Sequence, residues 1–270
     1  VPTQYELKES RANFQFWAGL RNSVITSTQI LLQDSGFEWE SDTNETVTAN
    51  IFKGEFAAQP SPSGWLFNMN DFTLVVNDKA VESNWSGTFS HAGVLTFHNR
   101  EPLKLAPMVP LLSVILGTNE AQPISDLSPE VQIDNLHFEL SQQQTAAHLA
   151  FSNLSFSELT ANSGGVVPGV TKLKGSVHWL DKLARIQIHD EHGELRTGQM
   201  LGYNLPYDRL FLEAYLNITD EGLDIHAPNL HFEGPTLTAN TSLTYRSHDN
   251  MMQLYSSLGD MNVEQAKALF

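Results

Sequence analysis

Cysteine is missing from all 270 residues. That removes disulfides, thiolate metal sites and cysteine nucleophiles at once. Positive charge is scarce: 15 Lys and Arg stand against 31 Asp and Glu, a net charge of -16. A phosphate backbone needs cationic side chains to displace its counterions, so this balance argues against nucleic acid as a partner. Docking on an anionic bilayer through a polybasic patch is disfavoured in the same way. No apolar run reaches the ~18 residues of a membrane span. The most apolar stretch, Leu103 to Leu116, is interrupted by Lys104, Pro107 and Pro110. A signal-peptide pattern is lacking at Val1, no Met starts the chain, and Phe270 falls inside a helix-like segment. Both ends therefore read as cuts within a longer protein.

The motifs of common chemistry are also lacking. There is no Gly-x-Ser-x-Gly elbow and no His-Glu-x-x-His pair. The loop Gly164-Gly165-Val166-Val167-Pro168-Gly169 is not followed by Gly-Lys-Ser/Thr, so it is no phosphate loop. No enzyme activity and no cofactor are expected. The densest set of potential ligands is His189-Asp190-Glu191-His192-Gly193-Glu194. Imidazole and carboxylate suit zinc or manganese, but the segment falls where a hairpin turn is expected from Asp190 to Gly193, and turns are polar in any case. It reads as a solvated turn, and no metal site is assigned. The other histidines, among them His91, His98, His137, His148, His178, His226 and His231, are dispersed and often alternate with aliphatics. That places them on an outward strand face.

Alternation is what the chain has in abundance. Hydrophobic residues make up 41% of it, enough to bury a substantial apolar surface. In Arg209 to Ile218, Leu210, Leu212, Ala214, Leu216 and Ile218 fall on one face, and Arg209, Phe211, Glu213, Tyr215 and Asn217 on the other. A strand period of two produces this split. Leu223 and Ile225, Leu230 and Phe232, then Leu237, Ala239, Thr241, Leu243 and Tyr245 continue it, with turns at 219–222 and Gly234-Pro235. Upstream, Val177 and Trp179 precede a turn at Asp181-Lys182, and Ile186 and Ile188 follow it. Ala147, Leu149 and Phe151 shift phase to Leu154 and Phe156, and Val131 and Ile133 shift phase to Leu136, Phe138 and Leu140; such shifts imply bulges. In the first half, Val47, Ala49 and Ile51, then Trp65, Phe67 and Met69, then Phe72, Leu74 and Val76, and finally Leu95 and Phe97 repeat the pattern. The fold class expected is mainly β and antiparallel. Helices are expected only at Ala106 to Leu116, with a start made ragged by Pro110, and from Asn262 to Phe270. Ala161 to Gly169 reads as a loop and Gly117 to Leu127 as a connector. Two modules, 1–125 and 126–270, follow from that connector.

An apolar strand face must be covered. A second sheet would give a sandwich, and too few helices exist for helical cover. The alternative is a single long, twisted and curled sheet whose apolar face forms an extended groove for a ligand. Trp17, Trp39, Trp65, Trp85 and Trp179 keep a sugar-binding or adhesin-like β-sandwich open as the other reading. Five sequons, at Asn44, Asn84, Asn153, Asn217 and Asn240, are silent in a bacterial protein and surface markers in a eukaryotic one.

Three segments carry a family resemblance: Leu127-Ser128-Pro129-Glu130-Val131 leading into a strand; Val167-Pro168-Gly169-Val170-Thr171-Lys172-Leu173-Lys174-Gly175; and Leu205-Pro206-Tyr207 with Leu210. Together with Val263 to Phe270 they resemble the AsmA-like family of Gram-negative envelope proteins, in its YhdP branch. Residues 1–125 resemble it through the surroundings of Trp17 and the Trp65 and Trp85 strands. Lys172 and Lys174 depart from the small and aliphatic residues usual there. The resemblance implies the groove, an inner-membrane anchor outside this segment, a periplasmic location, and phospholipid moving between inner and outer membranes. The implied lipid-binding floor is Val177, Trp179, Ile186, Ile188, Leu210, Leu212, Ala214, Leu216, Ile218, Leu223, Ile225, Leu237, Ala239 and Leu243. Physics agrees with such a floor. Each exposed methylene costs ~0.8 kcal/mol, so an acyl chain of ~15 carbons costs on the order of 12 kcal/mol in water.

Overall fold

The computed structural model describes residues 5–41, 45–116, 129–142, 144–160, 166–219, 222–235, 237–246, 248 and 251–259. Two compact units divide the chain: 1–128 with 132–144, and 129–131 with 145–270. The first contains β1 (Tyr5–Arg11), β2 (Phe14–Arg21), β3 (Val24–Ser41), β4 (Thr46–Ser61), β5 (Gly64–Val76), β6 (Lys79–Ser90), β7 (Leu95–Asn99) and β8 (Leu103–Lys104). A 3-10 turn (Ala106–Met108), helix α1 (Val109–Leu116) and most of β9 (Glu130–Leu140) complete it. The second contains β10 (Thr145–Phe156), β11 (Leu159–Thr160), β12 (Val166–Val167), β13 (Gly169–Leu180), β14 (Leu183–Arg196) and helix α2 (Gly198–Leu201), followed by β15 (Leu205–Thr219), β16 (Gly222–Glu233), β17 (Thr238–Arg246) and β18 (Met251–Gly259).

Sixteen of these strands belong to one open antiparallel sheet; β11 and β12 form a separate two-stranded ladder. Strand order in the first unit is β1-β3-β4-β5-β6-β7-β9, with β2 also on β3 and β8 on β9. In the second it is β10-β13-β14-β15-β16-β17-β18. The chain is mainly β, as its alternation implies. Among the described residues this is not a sandwich: apart from α1 on β4 and the β8 and 3-10 segments beside β6, the elements in substantial contact are ladder neighbours or adjacent in sequence, and no second sheet faces the first within either unit.

Local chemistry explains the strand ends. Tight hairpins turn at Asn22-Ser23 and Asn77-Asp78, where both residues hold positive φ. That is the type I′ backbone matching strand twist, and after glycine asparagine and aspartate tolerate it best. The turn expected at Asp181-Lys182 forms, with Leu180 opposite Leu183. The phase shift between Phe151 and Leu154 is a bulge, with Asn153 at φ 56°. At the shift in β9, the buried Asn99 amide donates to the Ile133 carbonyl at 3.3 Å and accepts from the Leu136 N–H at 2.6 Å. It supplies the hydrogen bonds that the strand pairing drops there.

Expected Ala106 to Leu116 divides at Val109 into the 3-10 turn and α1, because the Pro110 ring carries no N–H for a regular first turn. Leu111 and Val114 of α1 pack on the buried cluster of Tyr5, Val47, Ala49 and Val76. The connector at 117–127 and the helix at 262–270 lie outside the described residues, as does most of the loop at 161–169. Strands β1 to β3 were not expected at all.

Candidate functional site

Directly opposed residues of an antiparallel pair project from the same face, so the register can be followed across the second unit strand by strand. One row runs Ala147, Trp179, Ala184, Leu216, Ile225, Tyr245, Met252 over seven strands. A second runs Leu149, Val177, Ile186, Ala214. A third runs Phe151, Gly175, Ile188, Leu212, Leu230 and ends on Thr241 and Ser256. All lie on one face. The intervening positions make the other face polar: His148, His178, Arg185, Tyr215, His226, Thr244, Gln253 form its longest row. On that face Arg185 donates to Glu213 at 2.8 Å, and Tyr215 donates to the same carboxylate at 3.0 Å. The Arg185 bond first, then the Tyr215 bond, holds the Glu213 carboxyl below its usual range.

The apolar face is filled at one end and open at the other. Val170, Leu173, Tyr207, Leu210, Phe232 and Ala239 form a buried cluster joined by Leu154, Ile188, Leu195, Leu230 and Leu237. Leu210 is buried to 6% exposure within this cluster. Toward the opposite strand ends, Leu216 and Ile225 are half-buried and Ile218 is 43% exposed. The fourteen expected floor residues are thus distributed as follows. Leu210, Ala214 and Ala239 are buried, Ile218 is exposed, and the other ten are half-buried. Leu237 stands just before β17 rather than within it.

The first unit has the same arrangement with larger side chains. Phe16, Ile30, Phe56, Met69 and Trp85 form one row; Ala58, Phe67, Gly87, Phe97 and Phe138 lie in the next. Ring centroids stand 5.7 Å apart for Phe56 and Phe67, 5.6 Å for Trp85 and Phe97, and 4.9 Å for Phe97 and Phe138. Trp17 lies opposite Gln29, on the other face from Phe16, and is 49% exposed.

The segment 189–194 is not a turn. It continues β14, paired with β15 from His189 opposite Phe211 to Glu194 opposite Pro206. Its side chains are divided between faces. Asp190 is 6% exposed beneath the apolar cluster and accepts a 2.6 Å hydrogen bond from Tyr207, itself 2% exposed. Burial first, and the carboxylate second, push the Tyr207 hydroxyl well above its ordinary pKa. Asp190 also borders a cleft of about 510 Å³ lined by Glu191, His192, Glu194, Lys172 and Lys174, where β13 and β14 lose register between Val170–Leu195 and Gly175–Ile188. Among the described residues no group of three or more His, Asp or Glu is placed to hold a metal ion. No described helix is long and apolar enough to cross a membrane.

A protein-family model described as YhdP protein matches residues 2–270. No curated protein and no solved structure matches the chain.

Proposed function

From the premise that this chain belongs to the YhdP protein family, we propose that its apolar rows carry the acyl chains of phospholipid. The movement is between inner and outer membranes, the segment being a periplasmic stretch of an anchored envelope protein. The observation that carries the reading is the seven-strand row from Ala147 to Met252 on a sheet with no facing layer among the described residues. An apolar strip of that length on one layer calls for apolar cover. Leu, Ile and Val contact a chain without direction, so a cargo can slide, whereas directed hydrogen bonds would hold it. No covalent chemistry is part of the proposal.

Lipid extraction with mass spectrometry tests it. Purified wild type is expected to carry diacyl lipid. Leu216→Asp places a carboxylate in the long row at a half-buried position where water can reach it. The protein is expected to stay folded, losing roughly 1–3 kcal/mol, and to lose its lipid. Leu210→Asp, in the filled end, is expected to unfold the second unit. Gln253→Asp on the polar face is expected to change neither property. Glu213 is unsuitable as an inert control because Arg185 and Tyr215 depend on it. Wild type free of lipid, or Leu216→Asp with undiminished lipid, would defeat the proposal.

A further inference from the structure

Strand register assembles a pair of metal ligands that no local motif announces. His148 of β10 and His178 of β13 stand directly opposite each other on the polar face. Their Nδ1 atoms are 3.1 Å apart, their ring centroids 4.1 Å apart, and their planes tilted by 35°. The nitrogens are closer than the ring centres, so the two rings lean together at their Nδ1 edges. The pair lies on the polar face, and a rotation of each ring about its Cβ–Cγ bond would turn both Nδ1 lone pairs toward one point. With one Nδ1 protonated, the contact is a hydrogen bond; with both protons on Nε2, both nitrogens become ligands. An ion about 2.05 Å from each nitrogen would subtend roughly 100° between them. That lies between the square-planar and tetrahedral angles.

We propose that His148 and His178 chelate a divalent late first-row metal ion, of the Cu²⁺, Ni²⁺ or Zn²⁺ class, with water completing the shell. Imidazole suits these ions, and neither thiolate nor carboxylate is required. The charge surroundings permit it. The next residue across the row on β14 is Arg185, whose guanidinium is bound by Glu213, so its charge is compensated. Adjacent strands hold the two ligands, which preorganises the chelate and makes a bound ion a cross-link between β10 and β13. The site is on the face opposite the apolar rows, and its standing is independent of what those rows carry.

Calorimetric titration of the intact protein with Zn²⁺ and, separately, Cu²⁺ tests the site. Wild type is expected to bind one equivalent, Cu²⁺ more tightly than Zn²⁺. His148→Gln and His178→Gln are each expected to weaken binding at least about tenfold, because a single imidazole loses the chelate advantage. The double variant His189→Gln/His192→Gln is expected to bind as wild type does. Thermal melts give a second reading: saturating Zn²⁺ is expected to raise the Tm of wild type and to leave either single variant unmoved. Absence of binding by wild type, binding that survives both single variants, or loss of binding in the His189/His192 variant would each overturn the proposal.

Discussion

At the scale of single residues, the Tyr207–Asp190 pair is the most demanding feature of the second unit. A carboxylate at 6% exposure is tolerated because a phenol hydroxyl reaches it at 2.6 Å. Gly193 makes room for that phenol: a Cβ there would lie 2.1 Å from the Tyr207 oxygen. Tyr207→Phe is expected to cost roughly 1–3 kcal/mol by orphaning the carboxylate, read as a shift in the urea midpoint. The pH dependence has a definite sign. The Tyr207 pKa is raised on folding, so its contribution is complete below the unfolded value of about 10 and is lost as pH climbs above it. Stability measured from pH 9 to 11 should fall in wild type more steeply than in Tyr207→Phe. Gly175 makes a similar allowance, since its Cβ would lie 2.6 Å from both the Gln187 carbonyl and the Phe151 ring. Gly175→Ala should cost roughly 1–3 kcal/mol through overpacking, measurable in the same way. None of this was legible beforehand. The run His189 to Glu194 is polar enough to imitate a turn, and what keeps it in a strand is pairing with β15 and a tyrosine seventeen residues away.

At the scale of elements, alternation gave β15, β16 and β17 almost residue by residue, because only one of their faces is apolar. It failed for β2, where Phe14, Phe16 and Ala18 alternate with Gln15, Trp17 and Gly19. An exposed Trp and a Gly on the second face blur the period. It failed for β3 because Asp34, at φ 47°, interrupts an eighteen-residue strand. The proposed floor was read from alternation alone: thirteen of its members fall within strands, and Leu237 stands just before β17. The rows themselves were not, since register is a property of pairs. Helix α1 was legible from composition, but its seat was not. Leu111→Ser with Val114→Ser is expected to release α1 from Val47, Ala49 and Val76 at a cost of roughly 1–3 kcal/mol. Binding of an environment-sensitive apolar dye should rise as that patch is uncovered; unchanged dye fluorescence would contradict the packing.

Taken as a whole, the molecule divides its tryptophans by face. Trp39, Trp65, Trp85 and Trp179 sit among apolar residues, opposite Val47, Phe89, Met69 and Ala184. Trp17 is on the reverse side and exposed. Phospholipid with brominated acyl chains should therefore quench most of the tryptophan emission. A variant retaining only Trp17, with the other four changed to Phe, should show no quenching by that lipid while remaining open to acrylamide. Equal quenching of Trp17 would mean that lipid does not distinguish the two faces.

The row from Ala147 to Met252 has one more consequence, and it is kinetic. If the row carries lipid as proposed, an acyl chain on it would meet a side chain without charge at every strand, about every 4.8 Å, at all seven positions. The free-energy profile for such a passenger would then be a shallow ripple without a slope. A level track has no preferred sense: hops toward β18 and hops toward β10 are equally fast, and friction, not affinity, sets the pace. Net flux along it then follows the difference in lipid activity between its two ends, and reversing that difference reverses the flow.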